Sequence, residues 1–195
     1  MGKIFYLFGK SASGKDSIYE RLLRIEDLGL HRVVLYTTRP IRTNEHEGVE
    51  YHFIDEEQLK CLHEEGRVIE ERAYQTVHGV WKYLTVKDRE FDPEQGDFLM
   101  VGTLESFVSI RDFFGESVVV PLYVFVEDGL RLQRALERER RQENPKFAEM
   151  CRRFLADEED FAPDKLEAEG IRDGFENLDL EDTTRRIAER IRECR

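Results

Sequence analysis

The chain alternates between continuous apolar runs and segments with apolar residues at helical spacing. The runs, typical of strands buried on both faces, are 3–8, 31–38, 97–103 and 117–126. The helical segments are 14–27, 104–114, 127–142, 146–161 and 180–192, and a last short strand is predicted within 170–177. This order predicts an α/β fold with a mainly parallel sheet covered by helices. Pro121 predicts a bulge or an edge in the longest strand.

Residues 40–85 depart from this alternation, because several strand-like segments surround a single helix there. The stretch VEYHFI (49–54) alternates like a half-exposed strand, and 55–66 begins with a capping aspartate and ends at a glycine. Two further strand-like stretches, RVIEERAY and VWKYLTV, flank a turn predicted near His78 and Gly79. The sequence therefore predicts an insertion that forms a small mixed lobe.

The overall composition restricts the classes of partner. The 195 residues carry 30 Lys and Arg against 42 Asp and Glu, a formal net charge of −12. This charge argues against nucleic-acid binding, so an anionic ligand needs a local basic cluster. No apolar run approaches the roughly 20 residues of a membrane span, and the N-terminus shows no secretory signal. Three widely spaced cysteines predict reduced thiols and a cytoplasmic protein, with no zinc site.

A phosphate-binding loop is predicted between the first strand and the first helix. The motif G-x-x-x-x-G-K-[ST] is matched, except in its last position, by Gly9, Lys10, Ser11, Ala12, Ser13, Gly14, Lys15, Asp16 and Ser17, the expected contacts of the ATP phosphates. Glycines let backbone N–H groups face phosphate oxygens, and the helix directs its positive end there. Lys15 is expected to stabilise the transferred phosphoryl group. The alternative is a glycine-rich turn with an incidental lysine.

Asp16 stands where the motif has a hydroxyl residue. A carboxylate in the first turn of a helix is favourable by itself, but beside bound phosphates it is repulsive unless a cation lies between them. Magnesium is commonly held by one or two carboxylates together with phosphates. The strand FLMVGT ends without the acid that often organises this metal, so Asp16 is the predicted Mg²⁺ ligand.

Two arginines three residues apart, Arg39 and Arg42, open a second candidate site in the stretch YTTRPIRTNEHEGVEYHF. An arginine fork binds two phosphate oxygens in fixed geometry, and the Tyr51 hydroxyl can add a further donor. By charge pattern alone, the same stretch also fits a solvated loop.

With these residues the sequence resembles the guanylate kinase family over nearly the whole chain. The family run T-T-R-x-P-R-x-x-E-x-x-G-x-x-Y-x-F is matched by Thr37, Thr38, Arg39, Arg42, Glu45, Gly48, Tyr51 and Phe53, with the proline shifted to Pro40. The resemblance implies a P-loop NTPase-like core that uses ATP and Mg²⁺ to phosphorylate GMP. It also implies small-molecule nucleotides as partners, in a monomer or homodimer.

The resemblance assigns a role to individual acceptor residues. The GMP-binding set it implies is Arg39, Arg42, Glu45, Tyr51, Glu70, Tyr83 and Thr85. In this set Glu70 faces the guanine edge and Thr85 contacts the base. Glu71 stays an alternative to Glu70, because the spacing to Tyr83 is longer than usual in the family.

A mobile lid with arginines is implied for the second half. Arg138 and Arg153 are the expected catalytic arginines of the lid, beside Lys15 and Arg39, while Arg134 and Arg141 are further candidates. One domain is expected, divided into a core (1–35, 86–130 and 165–195), an acceptor-binding lobe (about 36–85) and a lid (about 131–160).

Three positions depart from the family pattern. Leu35 replaces a serine, Gly102 and Thr103 stand where an acidic pair is usual, and Asp16 replaces the loop hydroxyl. The last two departures are shared with a sibling group that phosphorylates ribose 1,5-bisphosphate, so a sugar-phosphate acceptor stays open. The chain could also be a non-catalytic guanylate-kinase-like binding module, or a regulator that binds nucleotide without transferring phosphate.

Overall fold

A computed structural model describes residues 1–76 and 79–195, so the turn predicted near His78 lies partly outside the described residues. The strands are β1 (Ile4–Phe8), β2 (Leu30–Arg32), β3 (Tyr36–Thr37), β4 (His52–Phe53), β5 (Val68–Thr76), β6 (Gly79–Val86), β7 (Asp97–Gly102), β8 (Val119–Phe125) and β9 (Phe175–Glu176). The α-helices are α1 (Lys15–Leu22), α2 (Glu56–Glu64), α3 (Leu104–Phe114), α4 (Asp128–Arg140), α5 (Phe147–Asp160), α6 (Pro163–Ala168) and α7 (Leu180–Glu193).

The main sheet is parallel and has the strand order β2-β7-β1-β8-β9 in the described residues. All five residues of β1 are buried because helices cover both faces. Phe5 and Leu7 pack with α1 and α7 on one side, while Tyr6 and Phe8 pack with α3 on the other. The predicted α/β fold with a mainly parallel sheet is confirmed.

Pro121 lies where β8, the longest strand of the main sheet, has one partner among the described strands. It is paired in register with Tyr6 of β1, and β9 pairs with β8 only from Val124 onward. The missing N–H of the proline therefore falls beside an open sheet edge, where it interrupts no ladder. Of the two alternatives predicted for Pro121, a bulge or an edge, the structure shows an edge.

The second sheet is mixed and has the order β4-β3-β6-β5. Helix α2 covers one face with Leu59 and Leu62, which pack on Leu84 and Val86. Its start is fixed by a capping box between Asp55 and Gln58. Because side chains alternate along a strand, the residues on the other face are left free to form a site.

Two predicted boundaries were wrong. The run 31–38 is not one strand: β2 belongs to the main sheet and β3 to the second sheet, because the chain crosses between the sheets at 33–35. Helix α1 ends at Leu22, five residues earlier than predicted, and a 3-10 turn at Glu26–Leu28 follows it. An apolar pattern alone cannot show where a chain changes sheet, because residues 33–36 are apolar across the crossing, although β2 itself is half-buried at Leu30 and exposed at His31 and Arg32.

Helices α4 and α5 pack against each other, with the break predicted near Pro145 between them. Helix α5 has no fully buried residue, so it lies on the surface. Cys61, Cys151 and Cys194 are free thiols. No helix within 1–76 or 79–195 combines the length and the apolar character needed to cross a membrane.

Candidate active site

The turn between β1 and α1 has the backbone that a phosphate cradle needs. Gly14 is the N-cap of α1 in the left-handed region, with φ of 90°, and Ala12 has φ of 62°. A Cβ at Gly9 would overlap the carbonyl oxygen of Val124, so only glycine fits beside β8 there. No described side chain caps α1, which leaves its first N–H groups for an anion.

Asn177, which follows β9, forms a hydrogen bond to this loop. The sequence analysis did not identify it. Its side-chain amide donates to the carbonyl oxygen of Ser13 at 2.7 Å, and both residues are buried. A Cβ at Gly14 would overlap that amide. The only signal in the sequence was a polar residue directly after the last strand, which is too weak to identify a loop contact.

Lys15 and Asp16 occupy the first turn of α1. Lys15 is half-buried, whereas the Asp16 and Ser17 side chains are exposed. In the part of the chain that the structure describes, no three His, Cys, Asp or Glu side chains cluster as metal ligands. One exposed carboxylate beside the cradle still fits Mg²⁺, because this ion completes its shell with water and substrate phosphates.

Lys10 forms ion pairs with two helices of the second half of the chain. Its ammonium pairs with Glu158 at 2.8 Å and with Asp128 at 3.4 Å. These contacts connect the loop to α4 and α5, and the contact of Lys10 with the ATP phosphates stays a prediction.

Position 102 shows why the usual acidic pair is absent. A Cβ at Gly102 would overlap the Tyr6 hydroxyl. Tyr6 is buried against Phe107, and burial raises the pKa of its hydroxyl far above the ordinary value. The space that a side chain at 102 needs is therefore occupied by a neutral phenol, and Thr103 instead caps α3 through the backbone N–H of Ser106.

The candidate acceptor residues share the face of the second sheet opposite α2. In the β5–β6 ladder Glu70 lies opposite Thr85 and Arg72 opposite Tyr83, while Thr37 of β3 also pairs with Tyr83. Tyr51 joins them, with its ring 5.5 Å from that of Tyr83 in an edge-on contact. The register thus brings the base and phosphate candidates of the sequence analysis onto one surface.

Glu70 and Glu71 are separated by this alternation. The Glu70 carboxylate accepts a hydrogen bond from Ser106 of α3, on the side toward the core. Glu71 points to the other face, where it lies 2.7 Å from His63 of α2 and 3.9 Å from Lys82. The geometry favours Glu70 as the residue available to an acceptor.

Arg39 is almost fully buried and already paired. Its guanidinium donates to both oxygens of Glu45, at 2.7 and 2.6 Å, and lies near the rings of Tyr51 and Phe53. Arg42 is exposed, and its backbone N–H also donates to Glu45. Glu45 is therefore best described as the residue that positions Arg39.

The hydrogen bonds from Arg39 lower the pKa of Glu45 to about 2. A carboxyl with a depressed pKa stabilises the folded state fully above its unfolded value, near 4.5, and this contribution is lost as the pH falls toward 2. We expect Glu45→Gln to lower the melting temperature at pH 7, with the difference from wild type shrinking between about pH 4.5 and 2. Thermal unfolding across this pH range measures it.

The matched control is Glu64→Gln, which alters an exposed pair with Lys60 on α2. Its melting temperature should follow that of wild type at every pH. A Glu45→Gln difference that stays constant from pH 7 to 2 would show that the lost contribution is not ionic.

A pocket of about 380 Å³ opens on the acceptor face. Its lining residues are Leu35, Tyr51, Arg72, Tyr74, Trp81 and Tyr83. Aromatic walls with a few polar groups are typical of small-molecule sites, and this volume suits a mononucleotide.

The lid carries a buried cation that the sequence analysis did not single out. Arg131 of α4 is 1% exposed and pairs with Asp128, Asp157 and Glu158. Asp157 in turn accepts from the backbone N–H and the hydroxyl of Ser11. One arginine thus ties α4 and α5 to the phosphate loop.

Two of the predicted lid arginines come together. Arg138 and Arg153 line a pocket of about 240 Å³ that also reaches Ser11 of the loop. Arg153 is exposed and pairs with Glu149. Arg134 points elsewhere, toward the carbonyl oxygen of Leu178, and Arg141 is exposed at the end of α4.

Comparison with known proteins gives three findings. The family model described as guanylate kinase matches residues 1–83. Guanylate kinase 2, chloroplastic/mitochondrial, of Oryza sativa subsp. japonica is 26% identical over 136 residues, 69% of this chain and 46% of the relative. A guanylate kinase of Legionella pneumophila (strain Lens) is 44% identical over 70 residues, 35% of this chain and 32% of the relative. These alignments thus span less than half of each curated relative.

The fold is similar over a longer range than the sequence. The crystal structure of guanylate kinase from Anaplasma phagocytophilum matches with a TM-score of 0.64 at 20% identity, covering 98% of this chain and 85% of that chain.

Proposed function

We propose that the chain belongs to the guanylate kinase family and transfers a phosphoryl group from ATP to GMP, giving GDP and ADP. The observation that carries the proposal is the shared face of the second sheet. There the pair Arg39–Glu45 and Tyr51 lie beside Tyr83, and Glu70 reaches α3 of the core through Ser106. A nucleotide on this face would therefore lie between the second sheet and the main sheet.

Positioning and charge neutralisation supply the catalysis in this proposal. Lys15 faces the donor phosphates, and Arg138 and Arg153 approach from the lid once nucleotides are bound. Mg²⁺ bound by Asp16 and the phosphates would neutralise the charge that develops on the transferred group. No general base is required, since a phosphate monoester is already a nucleophile at neutral pH.

The proposed division of the chain follows from these roles. Residues 36–85 form the acceptor-binding lobe and 131–160 the lid, while the rest is the core. Lid closure would exclude water from the phosphates and bring in the arginines. Nucleotides are the proposed partners.

An ADP-release assay with ATP and Mg²⁺ tests the activity. GMP, dGMP, AMP, CMP, UMP and ribose 1,5-bisphosphate are offered one at a time. Turnover on GMP and dGMP supports the proposal. Turnover on ribose 1,5-bisphosphate alone would move the chain to the sugar-phosphate kinases, in line with Asp16, Gly102 and Thr103. ATP binding without turnover on any acceptor would identify a binding protein.

Asp16→Ala tests the proposed metal ligand. We expect the Mg²⁺ concentration for half-maximal rate to rise about tenfold or more, because the metal loses its protein carboxylate and keeps only phosphate and water ligands. Initial rates across a magnesium titration at fixed total ATP measure this. Asp164→Ala, an exposed acid at the start of α6, is the matched control. An unchanged magnesium requirement in Asp16→Ala would overturn the assignment.

A further inference from the structure

Arg72 places a cation in the acceptor pocket, and none of the roles above uses it. Its side chain lines the pocket with Leu35, Tyr74 and Trp81 and is 34% exposed. It lies on the same face of β5 as Glu70, two residues away, and directly opposite Tyr83. A ligand held at Tyr51 and Tyr83 therefore lies within reach of this guanidinium.

Arg72 and Glu70 form an ion pair in which the buried Arg72 Nε makes no hydrogen bond to the described residues. The Arg72 Nε is 2.8 Å from Glu70 Oε1, and the Glu70 side chain is 9% exposed. A guanidinium has five N–H donors in a planar fork, so further donors of Arg72 remain available to a ligand after its contact with Glu70. The adjacent opposite charges suit a neutral ligand that offers both acceptors and donors, whereas a second phosphate would meet the Glu70 carboxylate.

Guanine offers both kinds of group along two adjacent edges. Its O6 and N7 are acceptors, and arginine binds them with two parallel hydrogen bonds. Its N1–H and N2–H are donors, which a carboxylate accepts. Adenine carries an amino donor at C6, so it would turn a donor toward the guanidinium.

Leu35 leaves Arg72 as the side chain that can donate to a base carbonyl at this position of the pocket. This side chain lines the same pocket and is apolar, so it offers no donor to a base carbonyl. Arg72 is the only charged residue among the described residues that line the pocket.

We propose that Arg72 determines base specificity by donating hydrogen bonds to O6 and N7 of the acceptor guanine, while Glu70 accepts from N1–H and N2–H. This inference rests on the proposed function, since it requires GMP in the acceptor pocket. Arg72 does not touch the phosphoryl group in transfer, so its effect falls on acceptor affinity and on discrimination between bases.

Titration calorimetry of the 195-residue chain with three ligands tests the role of Arg72. GMP is compared with 6-thio-GMP, which weakens the acceptor at position 6, and with 7-deaza-GMP, which removes the one at N7. Wild type should bind each analogue several-fold less tightly than GMP. Arg72→Leu should lose GMP affinity by about 10- to 100-fold and bind the three ligands alike. Arg72→Lys should recover part of the affinity through a single donor.

Arg67→Leu is the matched control, because Arg67 lies in the same lobe but pairs with Glu65 and the Lys87 carbonyl. It should retain both the GMP affinity and the preference for GMP over the analogues. Circular dichroism of all variants identifies any that fail to fold, and Arg72→Lys then serves in place of Arg72→Leu.

The remaining outcomes overturn the inference in different ways. An equal loss for all three ligands in Arg72→Leu would mean that Arg72 acts only by holding Glu70. Tight binding of ribose 1,5-bisphosphate that depends on Arg72 would identify a phosphate contact. If the wild-type protein binds no GMP, the proposed function itself is wrong. If Arg72→Leu still binds GMP and still prefers it over the two analogues, only the role of Arg72 is wrong.

Discussion

Replacing Lys15 with alanine is expected to lower kcat for ADP formation by at least about 100-fold. The ammonium stands at the first turn of α1, beside N–H groups that no described side chain caps. In the proposed reaction it would neutralise oxygens of the group in transfer, and the loss of one such preorganised donor typically costs a factor of 10² to 10³. The affinity for GMP should change little, because the acceptor pocket is formed by the second sheet.

The measurement combines the ADP-release rate at saturating nucleotides with calorimetric GMP binding. Lys60→Ala removes an exposed lysine of α2 and should match wild type in both measurements. A Lys15→Ala variant with nearly full kcat would rule out the loop as the site of transfer, even if GMP still bound.

Arg131→Leu is expected to lower the free energy of unfolding by about 3–5 kcal/mol. The arginine is 1% exposed, and its loss leaves Asp157, 13% exposed, without its ion pair. It also removes the stacking of the guanidinium on Phe154 at 4.0 Å and a contact with the Ser11 carbonyl. Breaking one side of a buried ion pair is costly because the remaining charge stays desolvated.

For a chain of this length that change corresponds to a melting temperature lower by about 6 to 20 °C. Differential scanning calorimetry gives it directly. Arg152→Leu removes an exposed partner of Glu149 on α5 and should cost under about 1 kcal/mol. Equal melting temperatures for Arg131→Leu and Arg152→Leu would show that the contacts of Arg131 with the loop and α5 add no stability.

The double variant Arg131→Leu with Asp157→Asn separates charge from packing. If the cost comes from the unpaired carboxylate, removing that charge should restore part of the lost stability. If packing against Phe154 dominates, the double variant should be no more stable than Arg131→Leu.

The residues of the candidate acceptor site could be proposed from the sequence, but their arrangement could not. Arg39, Arg42 and Tyr51 belong to a long motif in one segment, so their types and spacing were enough to make them candidates. The choice between Glu70 and Glu71 required the register of β5 against β6, because adjacent residues point to opposite faces of a strand. The sequence analysis gave Arg72 no role. The same register shows that Arg72 lies in the pocket with Tyr83.

The arginines of the predicted lid show more clearly what the sequence could not predict. Helical spacing located α4 and α5, and the resemblance selected Arg138 and Arg153, which do line one pocket. The sequence pattern does not distinguish Arg131 from the surface arginines around it. Its burial depends on three carboxylates and a phenyl ring, of which Asp157, Glu158 and Phe154 lie more than twenty residues away along the chain.

The residue pattern was enough to predict the α/β alternation, the candidate phosphate loop with its glycines and Lys15, and the candidate acceptor motif. These features are local: each depends on a hydrophobic period or on a backbone conformation that a few neighbouring residues impose. The folded arrangement was needed to show that the chain changes sheet at 33–35, that Tyr6 fills the space beside Gly102, and that Asn177 contacts the loop. Those facts depend on contacts between distant segments, since packing and desolvation act between surfaces that meet only when the chain folds.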